Sequence, residues 1–230
     1  MRNFFLFISF AFTAITVLTQ THEVGVFVGG SNYVGDIGRT NYIYPNEVGG
    51  GLVYKYNLNP RIALRGTYTY IPVSGDDNDA ENPFRLNRPQ GKYKFNNTIN
   101  EFAVGVEFNF FDYNISNYKT TFTPYILAEI AAFNYKSPTT VNPVTNAVTL
   151  TNKFSYSLPI GIGIKGRLDD NLAIAFETGA RITLVDDIDF TTDKVNSLNF
   201  GGTGNDWYMF TGLSIVYTFG RPPCFSGLAN

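Results

Sequence analysis

Residues 153–166, KFSYSLPIGIGIKG, alternate almost without a break. Phe154, Tyr156, Leu158, Ile160, Ile162 and Ile164 are large and apolar. Ser155, Ser157, Pro159, Gly161, Gly163 and Lys165 between them are small or polar. A strand sends successive side chains to opposite faces, so this run predicts a strand with one greasy face and one narrow polar face. It is longer than the ~5–6 residues of a typical strand. It also exceeds the ~9–11 residues that carry a tilted strand across a hydrocarbon core. The pattern describes a wall with lipid on one side and a tight polar interior on the other.

Seven further segments, 23–30, 47–56, 61–71, 98–110, 121–136, 171–185 and 206–219, repeat the theme with varying regularity. In 98–110, Phe102, Val104, Val106, Phe108 and Phe110 oppose Glu101, Ala103, Gly105, Glu107 and Asn109. No segment of the mature chain reads as an amphipathic helix. The connections at 57–60 and 167–170 are tight, whereas 31–46, 73–97, 137–152 and 186–205 are long and polar. Short periplasmic turns, long external loops and an even strand number mark an outer-membrane barrel. The fold class expected is therefore all-β: an eight-stranded antiparallel transmembrane outer-membrane β-barrel over 21–220, preceded by a signal peptide over 1–20 and followed by a periplasmic tail over 221–230. The 111–120 connection, FDYNISNYKT, is long for a periplasmic turn. Pro124 and Pro159 fall inside proposed strands, where a missing N–H costs a ladder bond; a bulge or a strand start is expected at each.

Composition agrees with a membrane barrel. Aromatic residues make up 16% and charged residues also 16%, below the ~25% charged residues of ordinary globular proteins. Tyr, Phe and Trp gather at strand ends, as two interfacial girdles would require. A net charge of −2 argues against a nucleic-acid partner. Mean hydropathy of −0.06 is too low for a helical bundle, whereas a barrel needs apolar residues only at alternate positions. At the N-terminus Arg2 precedes an apolar run from Phe4 to Leu18, the size of a signal-peptide core and short for a spanning helix. Cleavage is expected between Leu18 and Thr21.

An eight-stranded barrel has room inside for side chains and little else. The alternation turns Glu101, Glu107, Glu129 and Glu177 inward together with Lys55, Arg61, Arg65, Lys165 and Arg181. Opposite charges in a narrow lumen should pair, because an unpaired buried charge is costly. The expectation is a salt-bridged plug; the alternative is a gated ion path. No catalytic residue, cofactor or metal is expected. The single histidine, His22, sits at the start of the mature chain, and a Ser-His-Asp site needs a positioned imidazole. The acidic stretch 74–82, SGDDNDAEN, lacks the sixth-position glycine and terminal glutamate of an EF-hand loop, and a solvated external loop is expected there. The glycines of 29–38 precede no helix that could receive a phosphate; tight turns near the barrel rim suit them better. The single cysteine, Cys224, follows Pro222 and Pro223 in the tail. Two readings stand for this segment: a tether to a periplasmic partner, or an unstructured tail with an incidental thiol.

Several stretches together resemble a known family: HEVGVFVGGSNYVGDIG near the start, YNLNPRIALR, EFNFF, FTPYI, LPIGIGIK, and NDWYMFTGLSIVYTFGRPPC at the end. They are similar to the PorG family, outer-membrane barrel components of the type IX secretion system, over nearly all the mature chain. The resemblance implies a non-enzymatic barrel in the cell outer membrane, surrounded by its lipids and anchoring a periplasmic ring of the lipoprotein PorK and its partner PorN, in machinery that also serves gliding in some bacteria. It implies that Phe111, Asp112, Tyr113 and Tyr118 of the long turn, and Pro222, Pro223 and Cys224 of the tail, face that ring, with Cys224 a candidate for a disulfide to the lipoprotein. The competing expectation is a stand-alone small barrel of the OmpA or OmpX kind, stabilising the envelope or displaying adhesive loops.

Overall fold

Residues 21–88, 92–113, 122–141, 148–169, 171–192, 198–199 and 204–220 are described by a computed structural model. Residues 1–20, expected as a signal peptide, Tyr118 and the tail residues Pro222, Pro223 and Cys224 lie outside the described residues. The described chain forms eight strands: β1 (Thr21–Val34), β2 (Glu47–Asn59), β3 (Ile62–Asp76), β4 (Lys94–Asn109), β5 (Phe122–Val141), β6 (Val148–Arg167), β7 (Leu172–Thr183) and β8 (Trp207–Phe219). Each pairs antiparallel with its sequence neighbours, and β1 pairs with β8 from His22↔Phe219 to Val34↔Trp207, closing the barrel. Closure satisfies the backbone groups that an open sheet edge would expose to hydrocarbon.

The alternation read in the sequence sorts the two faces. Ile160, Ile162, Ile164, Leu213, Ile215, Val104 and Val106 are exposed on the outside, with Ile162 61% exposed. A belt of bare branched side chains around a closed barrel is stable only in lipid. No helix among the described residues is long and apolar enough to cross a membrane. The inward side is narrow. At Gly29 a Cβ would run into the Thr211 backbone and Gly212 across the β1–β8 seam, so this close approach requires glycine.

Several boundaries differ from the sequence expectation. The 137–152 segment is no long loop: β5 and β6 continue to Val141 and from Val148, paired from Ser137↔Thr151 to Val141↔Val148. Its alternating Thr and Val residues favour extended backbone and carry no charge that would oppose pairing. β3 and β4 likewise run past the expected limits and pair out to Asp76↔Lys94. Pro124 and Pro159 produce no shift of register; the shifts fall at Asn57/Asn59 and Pro138/Thr140. At Pro159 the β5–β6 ladder skips from Ala128↔Ile160 to Ala131↔Ser157 in constant register, as a missing donor opposite Glu129 requires. Arg61 is not in the lumen. It precedes β3, beyond the reach of the alternation, and its Nε lies 2.7 Å from Asp112 Oδ1 at the short-turn end.

Candidate functional site

The strands bring inward-facing charges of six staves, β2 to β7, onto one axis. At its centre Arg65 of β3 donates Nη1 and Nη2 to the two oxygens of Glu177 of β7, at 2.5 and 3.1 Å. This fork geometry holds a carboxylate in a fixed plane. Tyr125 of β5 donates its hydroxyl to the same Glu177 at 2.8 Å, and Arg65 Nε faces Glu129 at 3.5 Å. Toward the short-turn end, Glu107 of β4 lies 2.6 Å from Lys55 Nζ, 2.5 Å from Lys165 Nζ and 3.6 Å from Arg65 Nη1. Toward the long-loop end, Glu101 accepts from the Tyr208 hydroxyl at 2.5 Å and from Ser157 Oγ at 3.2 Å, with Arg181 Nε 3.5 Å away. Apart from Glu177, these charged side chains are almost fully withdrawn from solvent.

Apolar layers flank the ionic one. On the long-loop side, Ile37, Ile71, Val73, Phe95, Ile99 and Ile188 pack with Tyr33, Phe133, Tyr135 and Tyr208. On the short-turn side, Val53, Tyr113, Ala173 and Val216 cluster, with Phe27 beside them. Tyr113 therefore departs from its expected place on the periplasmic surface. It is 2% exposed; its N–H donates to Pro60 O at 3.0 Å, and Lys165 Nζ sits 4.1 Å from its ring centroid. A cation with an apolar mouth beside it draws the aromatic face inward. Phe111 and Asp112 of the same turn do stay outside, Phe111 at 57% exposure.

The external end carries its own lock, which the sequence reading missed. Asp77 is not solvated. It is buried, accepts from the Gly38 and Tyr93 N–H groups at 3.0 and 3.1 Å, and has Arg88 Nε at 3.4 Å. It ties the loop after β1 to the loop after β3, and Gly38 meets it with φ +76°, a conformation that suits glycine. Asp76 accepts from Asn78 N–H at 2.8 Å and lies 3.5 Å from Lys94 Nζ. These acids are engaged by protein donors, and among the described residues no group of acids, histidines or cysteines is arranged to hold a metal. Beyond β7, the Tyr33 hydroxyl lies within hydrogen-bond distance of both Asp189, at 2.7 Å, and Asp206. Asp36 N–H donates to the same oxygen at 3.0 Å. One phenol has one proton to give, so the second carboxyl must bring its own. Burial, then the neighbouring Asp189 carboxylate, pushes Asp206 up to about 9. Sequence spacing carries no sign of this trio, because its members stand 156 and 173 positions apart.

A concavity of 1140 Å³ is lined largely by Leu52, Tyr54, Leu64, Gly66, Tyr68 and Val104. It lies against the lipid-facing side of β2–β5, because the alternation turns these residues outward.

A family model described as a domain of unknown function (DUF6089) matches residues 2–228. No curated protein matches the sequence. Among solved structures, the chain is similar to Neisserial surface protein A at 8% identity and a TM-score of 0.50, covering 86% of this chain and 97% of that one. It is similar to a major outer membrane protein from Thermus thermophilus at 14% identity and a TM-score of 0.50, covering 88% and 100%. At such identities the likeness is one of fold: a small eight-stranded outer-membrane β-barrel.

Proposed function

The chain belongs to the DUF6089 family, and we propose that it works as a closed, non-enzymatic outer-membrane barrel that acts through its two rims rather than through its lumen. The observation carrying this is the stack of Glu101–Arg181, Arg65–Glu177 and Lys55–Glu107–Lys165 contacts, sealed by apolar layers above and below. A filled lumen leaves the outer belt, the external cap and the periplasmic turns as working surfaces. The reading this supports best is a stand-alone small barrel of the OmpA or OmpX kind, which strengthens the envelope or presents its cap outside the cell. Deleting the gene and restoring it tests this. Sensitivity to detergents or large antibiotics should rise, or surface attachment should fall, and both should recover with the restored gene. Unchanged permeability and unchanged attachment would contradict it.

The second reading is the PorG-like one: an anchor for a periplasmic PorK and PorN ring in type IX secretion. Two observations favour it. One is the sequence resemblance, which reaches the terminal RPPC stretch. The other is the Arg61–Asp112 ion pair, which joins two periplasmic turns and leaves Phe110 and Phe111 exposed beside it. Photo-crosslinking from positions 111 and 112 should then capture a ring protein. Non-reducing gels of wild type and Cys224→Ser should differ by a reducible shift. Absence of both adducts would leave the stand-alone reading.

A further inference from the structure

Closure removes sheet edges only as far up as all eight strands reach, and here they do not reach equally far. β2 pairs with β3 no higher than Gly50↔Tyr70. β4 pairs with β5 no higher than Asn100↔Asn134, and β6 with β7 no higher than Ser157↔Thr183. Beyond these levels two hairpins, β3–β4 and β5–β6, rise from the barrel on the external side. Each projecting strand has a flank that the barrel no longer covers, and an uncovered flank is a row of backbone donors and acceptors open to another strand.

Most of these flanks are guarded. On β3, Pro72 has no N–H to offer; its carbonyl accepts from Ser31 Oγ at 2.5 Å, and Ser74 O accepts from Asn46 Nδ2 at 3.2 Å. Between β4 and β5 the Asn97 side chain stands in for a strand. Its Nδ2 donates to Lys136 O at 2.7 Å, and its Oδ1 accepts from Lys136 N–H at 3.2 Å. Pro138 and the register shift beside it blunt the rest of β5. The flank of β6 over residues 148–156, VTLTNKFSY, is different. It contains no proline; the register shift opposite Thr149 and Leu150 places its extra residue on β5 rather than on β6, and the one charge, Lys153, has its Nζ engaged with Asp187 at 2.6 Å on the inner side. Among the described residues no strand pairs with it on the side away from β5. Its outward side chains are bare, Phe154 at 82% and Tyr156 at 68% exposure.

The geometry points to this β6 edge as a docking site for an extended, uncharged polypeptide strand of another protein, added antiparallel as a further strand of the β5–β6 hairpin. Main-chain ladder bonds would supply the affinity. The alternation of Leu150, Asn152, Phe154 and Tyr156 on one face would select a partner with apolar side chains on that face. A second copy of this chain is the poorer occupant. Barrels inserted the same way in one membrane point their β6 strands in the same direction, so two such edges meet in parallel, the weaker pairing.

The test uses the whole barrel in lipid nanodiscs and a synthetic end-blocked peptide, acetyl-VTLTNTFSY-amide, which carries no charge and is free in solution to run antiparallel. Hydrogen exchange is read at residues 148–156. In the barrel alone, every second amide should exchange without protection. With peptide at ten times its dissociation constant, those amides should slow by about tenfold, since protection grows as one plus that ratio. The same peptide N-methylated at alternate residues should have no effect. Three results would overturn the proposal: alternate amides already protected in the barrel alone, because the chain covers its own edge; no change with peptide; or equal slowing by the N-methylated peptide, which would mean side-chain binding without a ladder.

Discussion

Replacing Glu107 by glutamine perturbs the lumen at its most crowded point. Three cations converge on this one carboxylate, with Lys55 at 2.6 Å, Lys165 at 2.5 Å and Arg65 at 3.6 Å, and all are buried. Glutamine keeps the shape and removes the charge. Arg65 retains its fork to Glu177, but the two lysine ammoniums lose their nearest counter-ion. Breaking a buried ion pair from one side costs about 3–5 kcal/mol, because the orphaned charge still pays its desolvation. With two lysines affected, the lower bound of about 3 kcal/mol applies, a large part of the ~5–15 kcal/mol that holds a typical domain folded. For a urea slope near 2 kcal/mol/M, the midpoint should fall by roughly 1.5–2.5 M. The assay is urea unfolding from lipid vesicles, followed by the gel-mobility difference between folded and unfolded barrel. Adding Lys165→Met, which withdraws one orphaned ammonium, should recover at least ~1 kcal/mol, since contacting sites are not additive. A midpoint shift under ~0.5 M for Glu107→Gln, or no recovery in the double variant, would mean that water and mobile ions solvate these groups. The dry plug would then be wrong.

Three further outcomes follow from the same geometry. The external cap should weaken with alkali: Asp206 is pushed up to about 9 by burial and then by Asp189, while an unfolded aspartate titrates near ~3.9. A raised folded value means that the stabilising form is the protonated one. Its contribution is full below about 4, declines as pH rises, and is gone above about 9. Trp207, the single tryptophan, adjoins Asp206 and reports this by fluorescence. Asp206→Asn, which keeps an acceptor for Ile188 N–H and a donor for the Tyr33 hydroxyl, should flatten the dependence; an unchanged alkaline transition would contradict the shared proton. On the lipid face, Ile162→Arg should cost ~2–4 kcal/mol by the same urea assay, whereas a neutral result would place that face in water. At the periplasmic mouth, Tyr113→Ala should destabilise by ~3–5 kcal/mol, the usual range for emptying a buried aromatic site. A loss below ~1 kcal/mol would return Tyr113 to the surface.

How far the sequence could be read depended on the range of the physics involved. Alternation is local, so the lipid face of β6 and the inward placement of Glu101, Glu107, Glu129, Glu177, Arg65, Lys165 and Arg181 were legible from spacing alone. Arg61 was misplaced because alternation has no meaning one residue past a strand end. The high hairpins were read as loops because threonine and asparagine suit either state; pairing across 137–152 decides it. Which lysine meets which glutamate depends on closure, since Lys55 and Glu107 come from different staves. The Tyr33–Asp189–Asp206 trio and the inward turn of Tyr113 are long-range packing choices with no periodic signature. The β6 edge became visible only by comparing how high neighbouring strands reach.

The central claim, a barrel closed along its axis, is tested most directly by conductance. Purified wild-type protein, inserted in planar lipid bilayers at neutral pH, should give no steady single-channel current at any modest applied potential, because a side-chain ion network and two apolar layers fill the path. A stable, repeatable open conductance from the folded protein would contradict the account and make the lumen a gated ion path.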